Sequence, residues 1–246
     1  MRDGKDEPVK FFSRSTPVLP VFGPAPLVVR RMAQARAMRL RVDPRDGTVR
    51  LTLPARAAIG PAIAWVESKR GWIEAQQAAI PKPVAIGPGA VIPYEDGAVR
   101  IDWSADGPRA PQRVDDRLIL GGPEELIARR VLRWLARQAL VMLDAETRAY
   151  ARAAGVTIGR VAIGDARSRW GSCSSSGDIR YSWRLILAPP DVRRATVAHE
   201  VAHRLHMDHS PAFHAAVARL YGRDPGPERA WLRQHGAVIQ GFGRSS

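Results

Sequence analysis

The segment HEVAHRLHMDH, residues 199–209, holds four of the six histidines in a chain of 246 residues, together with Glu200 and Asp208. Imidazoles and carboxylates at this density are metal ligands and proton carriers by type. His199-Glu200-x-x-His203 is the HExxH pattern. On an α-helix, positions i and i+4 share one face, so both imidazoles can reach one ion. Glu200 lies about 100° further round, near enough to address a water beside that ion without competing as a ligand. That division of roles suits metal-assisted hydrolysis, in which a metal acidifies water and polarises a carbonyl while a glutamate moves the proton. With six His and nine Glu in 246 residues, the pattern arises by chance in about one such chain in two hundred. Its apolar setting (Val192, Ala195, Val197, Ala198, Val201, Ala202, Leu205) lowers the odds further, because unsatisfied polar groups are costly to bury.

A catalytic zinc takes three protein ligands and keeps one position open, and one zinc per chain is the expectation here. His206, His209, His214 and Cys173 are the candidates for the third ligand. His206 shares the helix face, but it lies about 10.5 Å along the axis from His199, and one straight helix rarely arranges three tetrahedral ligands. His209 follows the point where the helix should end. Ser210-Pro211 then reads as an N-cap and first helical residue, so a turn at Met207-Asp208 would return His209 to the metal. His209 is the preferred third ligand and His206 the next. Cys173 reads as a small strand residue, His235 as structural and Asp208 as a turn residue. No group for a developing oxyanion stands out among Arg169, Arg184 and Tyr181.

The elements around this segment follow from periodicity. RAMRLRVDPRDGTVRLTL alternates as a hairpin, and IGPAIAWVESKRGWIEAQQ has the spacing of one helix or a broken pair. GAVRIDW and RVDDRLILGG read as strands. Pro123-Glu124-Glu125 opens a long helix with an apolar stripe running towards Tyr150. IRYSWRLI sets Ile179, Tyr181, Trp183 and Leu185 on one strand face after a hairpin loop at SSSGD. Pro189-Pro190-Asp191 is a stop followed by an N-cap candidate for the HExxH helix. The organisation expected is a loose leader over 1–24, a β-rich and α region over 25–120, and a catalytic domain over 121–246.

Bulk properties narrow the classes. The sequence is 45% hydrophobic and 25% charged, and no apolar run is long enough to span a membrane. One cysteine and no secretory signal core fit a reducing cytoplasm. The net charge of +14 and isoelectric point near 11.2 allow nonspecific nucleic-acid contact through a basic surface. Only four of the 38 basic residues are lysines, however, and the arginines are dispersed.

The stretch from SRWGSCSSSGDIRYSWRLILAPPDVRRATVAHEVAHRLHMDHSPAFHAAV resembles the YgjP-like metal-dependent hydrolases, relatives of the SprT-like and Wss-like metalloproteases. The residues that carry the resemblance are Trp170-Gly171-Ser172-Cys173, Trp183, Leu185, Ala188-Pro189, His199 to His203, His209-Ser210 and Phe213. VRRMAQARAMRLRVDPRDGTVRLTLP with ESKRGWI extends it more softly into the N-terminal half. The resemblance implies an α+β, zincin-like metallopeptidase domain, with the HExxH helix on a small antiparallel sheet and a smaller β-rich region before it. It implies His199, His203 and His209 as metal ligands, Glu200 as catalytic base, and a peptide or protein substrate along a sheet edge. A DNA-linked protease of the SprT-like kind, or a binding module with structural zinc, is the alternative. Two positions depart from the pattern: Ser182 stands where asparagine is usual, and His214 where tryptophan is common.

Overall fold

The computed structural model of the chain describes residues 20–23, 25–43, 46–80, 84–166 and 169–243. The leader expected over 1–24 lies largely outside the described residues, as do two positions of the turn in DPRDG. The chain divides into two compact units, Met1–Pro81 and Lys82–Ser246.

The first unit opens with the short pair β1 (Val21–Phe22) and β2 (Ala25–Pro26). Strands β3 (Val28–Met32), β4 (Arg39–Val42) and β5 (Val49–Pro54) form a sheet in the order β3-β5-β4. The hairpin that the alternation predicts is β4–β5, with Leu40 opposite Leu51 and Val42 opposite Val49. β3 joins it in parallel to β5. Period-two alternation sends Val49, Leu51 and Leu53 into the core with Phe22, Val66 and Ile73, while Arg30, Arg39, Arg41 and Arg50 are exposed. The following helical segment is a broken pair, α1 (Ile59–Glu67) and α2 (Arg70–Ala78).

In the second unit, β6 (Val91–Tyr94), β7 (Gly97–Ser104), β8 (Gln112–Val114) and β9 (Arg117–Gly121) form a sheet in the order β6-β7-β9-β8. Ile92, Val99, Ile101, Leu118 and Leu120 share one core with Val131 and Leu135 of the long helix α3 (Ile127–Ala154). Residues 84–120, grouped by sequence with the N-terminal region, therefore fall in this unit. A 3-10 turn at Glu124–Leu126 precedes α3. The helix buries Ile127, Val131, Leu135, Ala139, Leu143, Thr147 and Ala151, a ridge at steps of four, and ends at Gly155 in the left-handed conformation.

β10 (Val161–Gly164), β11 (Gly171–Cys173) and β12 (Ile179–Ser182) make the third sheet, ordered β10-β12-β11. β11 pairs antiparallel with β12, as the SSSGD loop predicts. β10 runs parallel to β12, so this sheet is mixed rather than wholly antiparallel. The strand expected to reach Leu185 stops at Ser182, whose hydroxyl accepts from Arg184 N at 3.4 Å and caps a 3-10 turn over Trp183–Leu187. Ile179, Tyr181, Trp183 and Leu185 are all buried nevertheless. Then follow α4 (Pro190–Ala202), α5 (Pro211–Tyr221) and α6 (Gly226–Gly241). α4 starts at Pro190, so Asp191 lies in its first turn rather than at the N-cap, where it pairs with Arg194 and Arg223. Among the described residues no helix is long and apolar enough to cross a membrane.

Candidate metal centre

α4 is fixed before it reaches the histidines. Buried Arg193 clasps Glu146 of α3 with three contacts of 2.9–3.1 Å, and Val192, Val197 and Val201 enter the core. A bidentate, largely dry pair of this kind sets the helix against α3 in one register. His199 lies in the last turn of α4 and His203 at its C-cap. The chain then tightens, with the amides of Leu205 and His206 both donating to the Ala202 carbonyl at 2.9 and 3.0 Å. The helix is shorter than its apolar pattern suggests, and the reversal begins before Met207.

That reversal brings His209 back. Its Nε2 lies 3.4 Å from His199 Nε2, and the candidate ligand atoms of His199, His203 and His209 all fall within 4.8 Å of one another. Ser210 caps α5 through its hydroxyl, which accepts from Phe213 N at 3.3 Å. Phe213, buried in the first turn of α5, floors the cluster. Its ring stacks on His203 at 4.5 Å and meets His199 and His209 edge-on at 4.9 and 4.8 Å.

His199 and His203 are favoured in the neutral form, as metal binding would require. Burial, then the neighbouring His203 and His209, push the His199 pKa down to about 4. Burial also lowers that of His203, against the opposing pull of a hydrogen bond to the His206 carbonyl. With Nδ1 of His203 3.2 Å from that carbonyl, its proton sits there and Nε2 is the free ligand atom. His206 thus serves through its backbone. Three imidazole nitrogens within 4.8 Å of one another, with no acid among them, fit a divalent ion of borderline softness.

Glu200 turns from the same helix turn towards β11. It is 4% exposed, and burial raises its carboxyl pKa to about 7, partly offset by the charge of Arg169. Its Oε2 is buried with no hydrogen-bond partner among the described residues. Gly171 makes the room: a Cβ there would come within 2.6 Å of Glu200 Cγ and Cδ. The Trp-Gly-Ser-Cys stretch therefore carries its glycine because the carboxylate packs on that Cα. A cleft of about 260 Å³ joins Arg169, Gly171, Ser172, Cys173, His199, Glu200, His203, Met207 and His209. Arg204 moors the β11–β12 turn beside it, donating to the Ser175 carbonyl at 2.8 Å.

The remaining candidates separate clearly. Cys173 lines the cleft but stands outside the three-histidine group, its thiol pKa raised chiefly by burial. His214 is exposed, its ring 6.4 Å from that of His209. His235 stacks on Trp231 at 4.5 Å. Asp208 accepts from Ser210 N at 3.1 Å in the turn. Tyr181 is buried against Thr147 at 3.0 Å, and Arg184 pairs with Asp165 and donates to the Phe242 carbonyl at 3.1 Å. Of the three groups weighed for the oxyanion, only Arg169 borders the cleft. The His206 carbonyl had no chemical signal in the sequence, and Phe213 was marked only by the family resemblance.

Clustered imidazoles beside a buried, protonatable carboxyl are the equipment of a metal-dependent hydrolase. Comparison with protein families agrees: residues 36–235 match the family described as YgjP-like, metallopeptidase domain. The chain belongs to that family, which makes it in general terms a metal-dependent hydrolase of the peptidase kind. Comparison with curated proteins and with solved structures gave no match.

Proposed function

We propose that the protein is a zinc-dependent peptidase in which His199, His203 and His209 hold one zinc ion and Glu200 is the general base. The observation that carries this reading is the convergence of three imidazole nitrogens within 4.8 Å beside a buried carboxylate oxygen lacking any partner among the described residues. When bound, the zinc would supply Lewis acidity towards a water and a substrate carbonyl. Glu200 would take a proton from the attacking water on its carboxylate and pass it to the departing amine, a task matched to a carboxyl poised near neutrality. Phe213 shields the cluster from water on one side, and the His206 carbonyl fixes the tautomer of His203. β11 is an edge strand whose Gly171, Ser172 and Cys173 border the cleft, and it pairs with an extended peptide. Three protein ligands would leave one position for water or substrate, which favours a catalytic over a structural ion. A single cysteine suits work in the reducing cytoplasm.

The purified protein should carry about one zinc per chain and cleave peptides or denatured proteins. Stripping with a chelator should abolish cleavage, and zinc should restore it. Cleavage unaffected by complete metal removal would refute the reading.

A second, accessory activity is favoured by one face of the first unit. Arg30, Arg39, Arg41 and Arg50 are exposed on the sheet β3-β5-β4, and Arg41 lies directly opposite Arg50. Arg50 also faces Asp43 at 3.6 Å, which offsets one of the four positive charges, and the surplus on this face would make nonspecific contact with nucleic-acid phosphates. A gel shift at low salt that weakens steeply as salt rises is the expected result; no shift at low salt removes the idea.

A further inference from the structure

A second cavity, of about 240 Å³, opens on the other flank of His199 and Glu200. Val192, Ala195, Thr196 and His199 line it. These are positions i, i+3, i+4 and i+7 of α4, so one helix face runs from the cavity to the proposed metal ligand. Val217 of α5 and Leu232 of α6 also line it, together with Trp170. The space exists because α4 carries only an alanine and a threonine at its middle. Thr196 donates its hydroxyl to the Val192 carbonyl at 3.0 Å and so keeps no free donor for a ligand.

Several of the charges around the cavity have partners of their own. Glu228 is buried; its Oε1 accepts from Tyr221 Oη at 3.0 Å and pairs with Arg223, while its Oε2 is buried with no hydrogen-bond partner among the described residues. Arg229 faces Asp224 at 3.6 Å, and Arg169 is exposed where this cavity and the metal cleft share a wall. An uncharged, water-avoiding group is what such a space holds best.

We propose that this cavity takes the apolar side chain of the substrate residue adjoining the scissile bond, and that Ala195 and Leu232 set the accepted size. The assignment rests on the peptidase reading above. The cavity is walled at one end by the same Glu200 and His199 that line the cleft, so a side chain that fills it would bring the bond it adjoins to the base. Its burial is repeated in every productive complex, so it selects among substrates.

The test uses zinc-loaded full-length protein and peptides with one cleavable bond, varied at the adjoining residue as Ala, Leu, Phe, Lys or Asp. Leu or Phe should exceed Ala in kcat/KM by about tenfold or more. Ala195→Leu, which fills the cavity, should shift the preference back towards Ala. Leu232→Ala, which widens it, should shift the preference towards Phe, and it decides the matter if Ala195→Leu fails to fold. Binding is read separately by calorimetry on Glu200→Gln, which should hold the Leu peptide more tightly than the Ala peptide. Equal cleavage of all peptides, a preference for Lys or Asp, or a preference unmoved by Leu232→Ala would overturn the assignment. Tighter binding of the Leu peptide without cleavage of any peptide by the wild type would support the cavity and sink the peptidase reading instead.

Discussion

The sheet β3-β5-β4 of the first unit and the sheet β10-β12-β11 of the second repeat one arrangement. In each, the last strand in sequence is central, the first runs parallel to it, and the second forms a hairpin with it. A helical segment follows in both. The chemistry differs completely. The hairpin edge of the first carries exposed Arg39 and Arg41, and α1 offers no ionisable side chain before Glu67. The hairpin edge of the second carries Gly171 against Glu200, and α4 delivers two histidines and a glutamate where its last turn meets that edge. The same strand plan thus carries an arginine-lined face once and the wall of the candidate metal centre once. The difference lies in a handful of side chains, since function sits in sites grafted on folds.

The largest expected effect breaks the site outright. His199→Ala or His203→Ala should lose both bound zinc, by elemental analysis, and peptide hydrolysis to background. Next comes the wall. Gly171→Ala should force the Glu200 side chain aside, costing about 1–3 kcal/mol in urea-measured stability and about a hundredfold in hydrolysis. Its counterpart at the same register of the first sheet, Arg39→Ala, should change stability by no more than about 0.5 kcal/mol. Equal effects at both positions would erase the contrast between the two sheets.

A finer test separates neighbouring imidazoles. His209→Ala should release zinc to a competing chelator far more readily than His206→Ala, because His206 acts through a carbonyl that alanine retains. A further effect, on stability alone, concerns the metal-stripped protein. The folded-state pKa of Glu200, about 7, stands above its ordinary value of 4.5. The stabilisation tied to its proton is therefore full below pH 4.5 and lost as pH rises through 7. Relative to Glu200→Gln, the stripped wild type should lose on the order of 2 kcal/mol across that window, read from denaturation midpoints.

Much of this was legible in the residues. HExxH spacing, the Ser210-Pro211 restart, the SSSGD hairpin and the apolar ridge of α3 are local signals, and each appears where its period or turn chemistry puts it. The missed features depend on partners distant in sequence. The parallel additions of β3 and β10 leave no mark on alternation, because an edge strand reads the same whichever way it pairs. The end of the Tyr181 strand at Ser182 was hidden because the 3-10 turn buries Trp183 and Leu185 as a strand would. Residues 84–120 join the second unit through core contacts with α3, which no local pattern encodes. The cavity beside Glu200 is built from α4, α5 and α6 together, and its small residues at 195 and 196 look like ordinary helix interior.

The most direct test of the central claim is zinc content and peptide hydrolysis measured on one preparation of Glu200→Gln. About one zinc per chain with hydrolysis reduced by at least about a hundredfold is the predicted result. Undiminished hydrolysis would contradict the role of Glu200 as base.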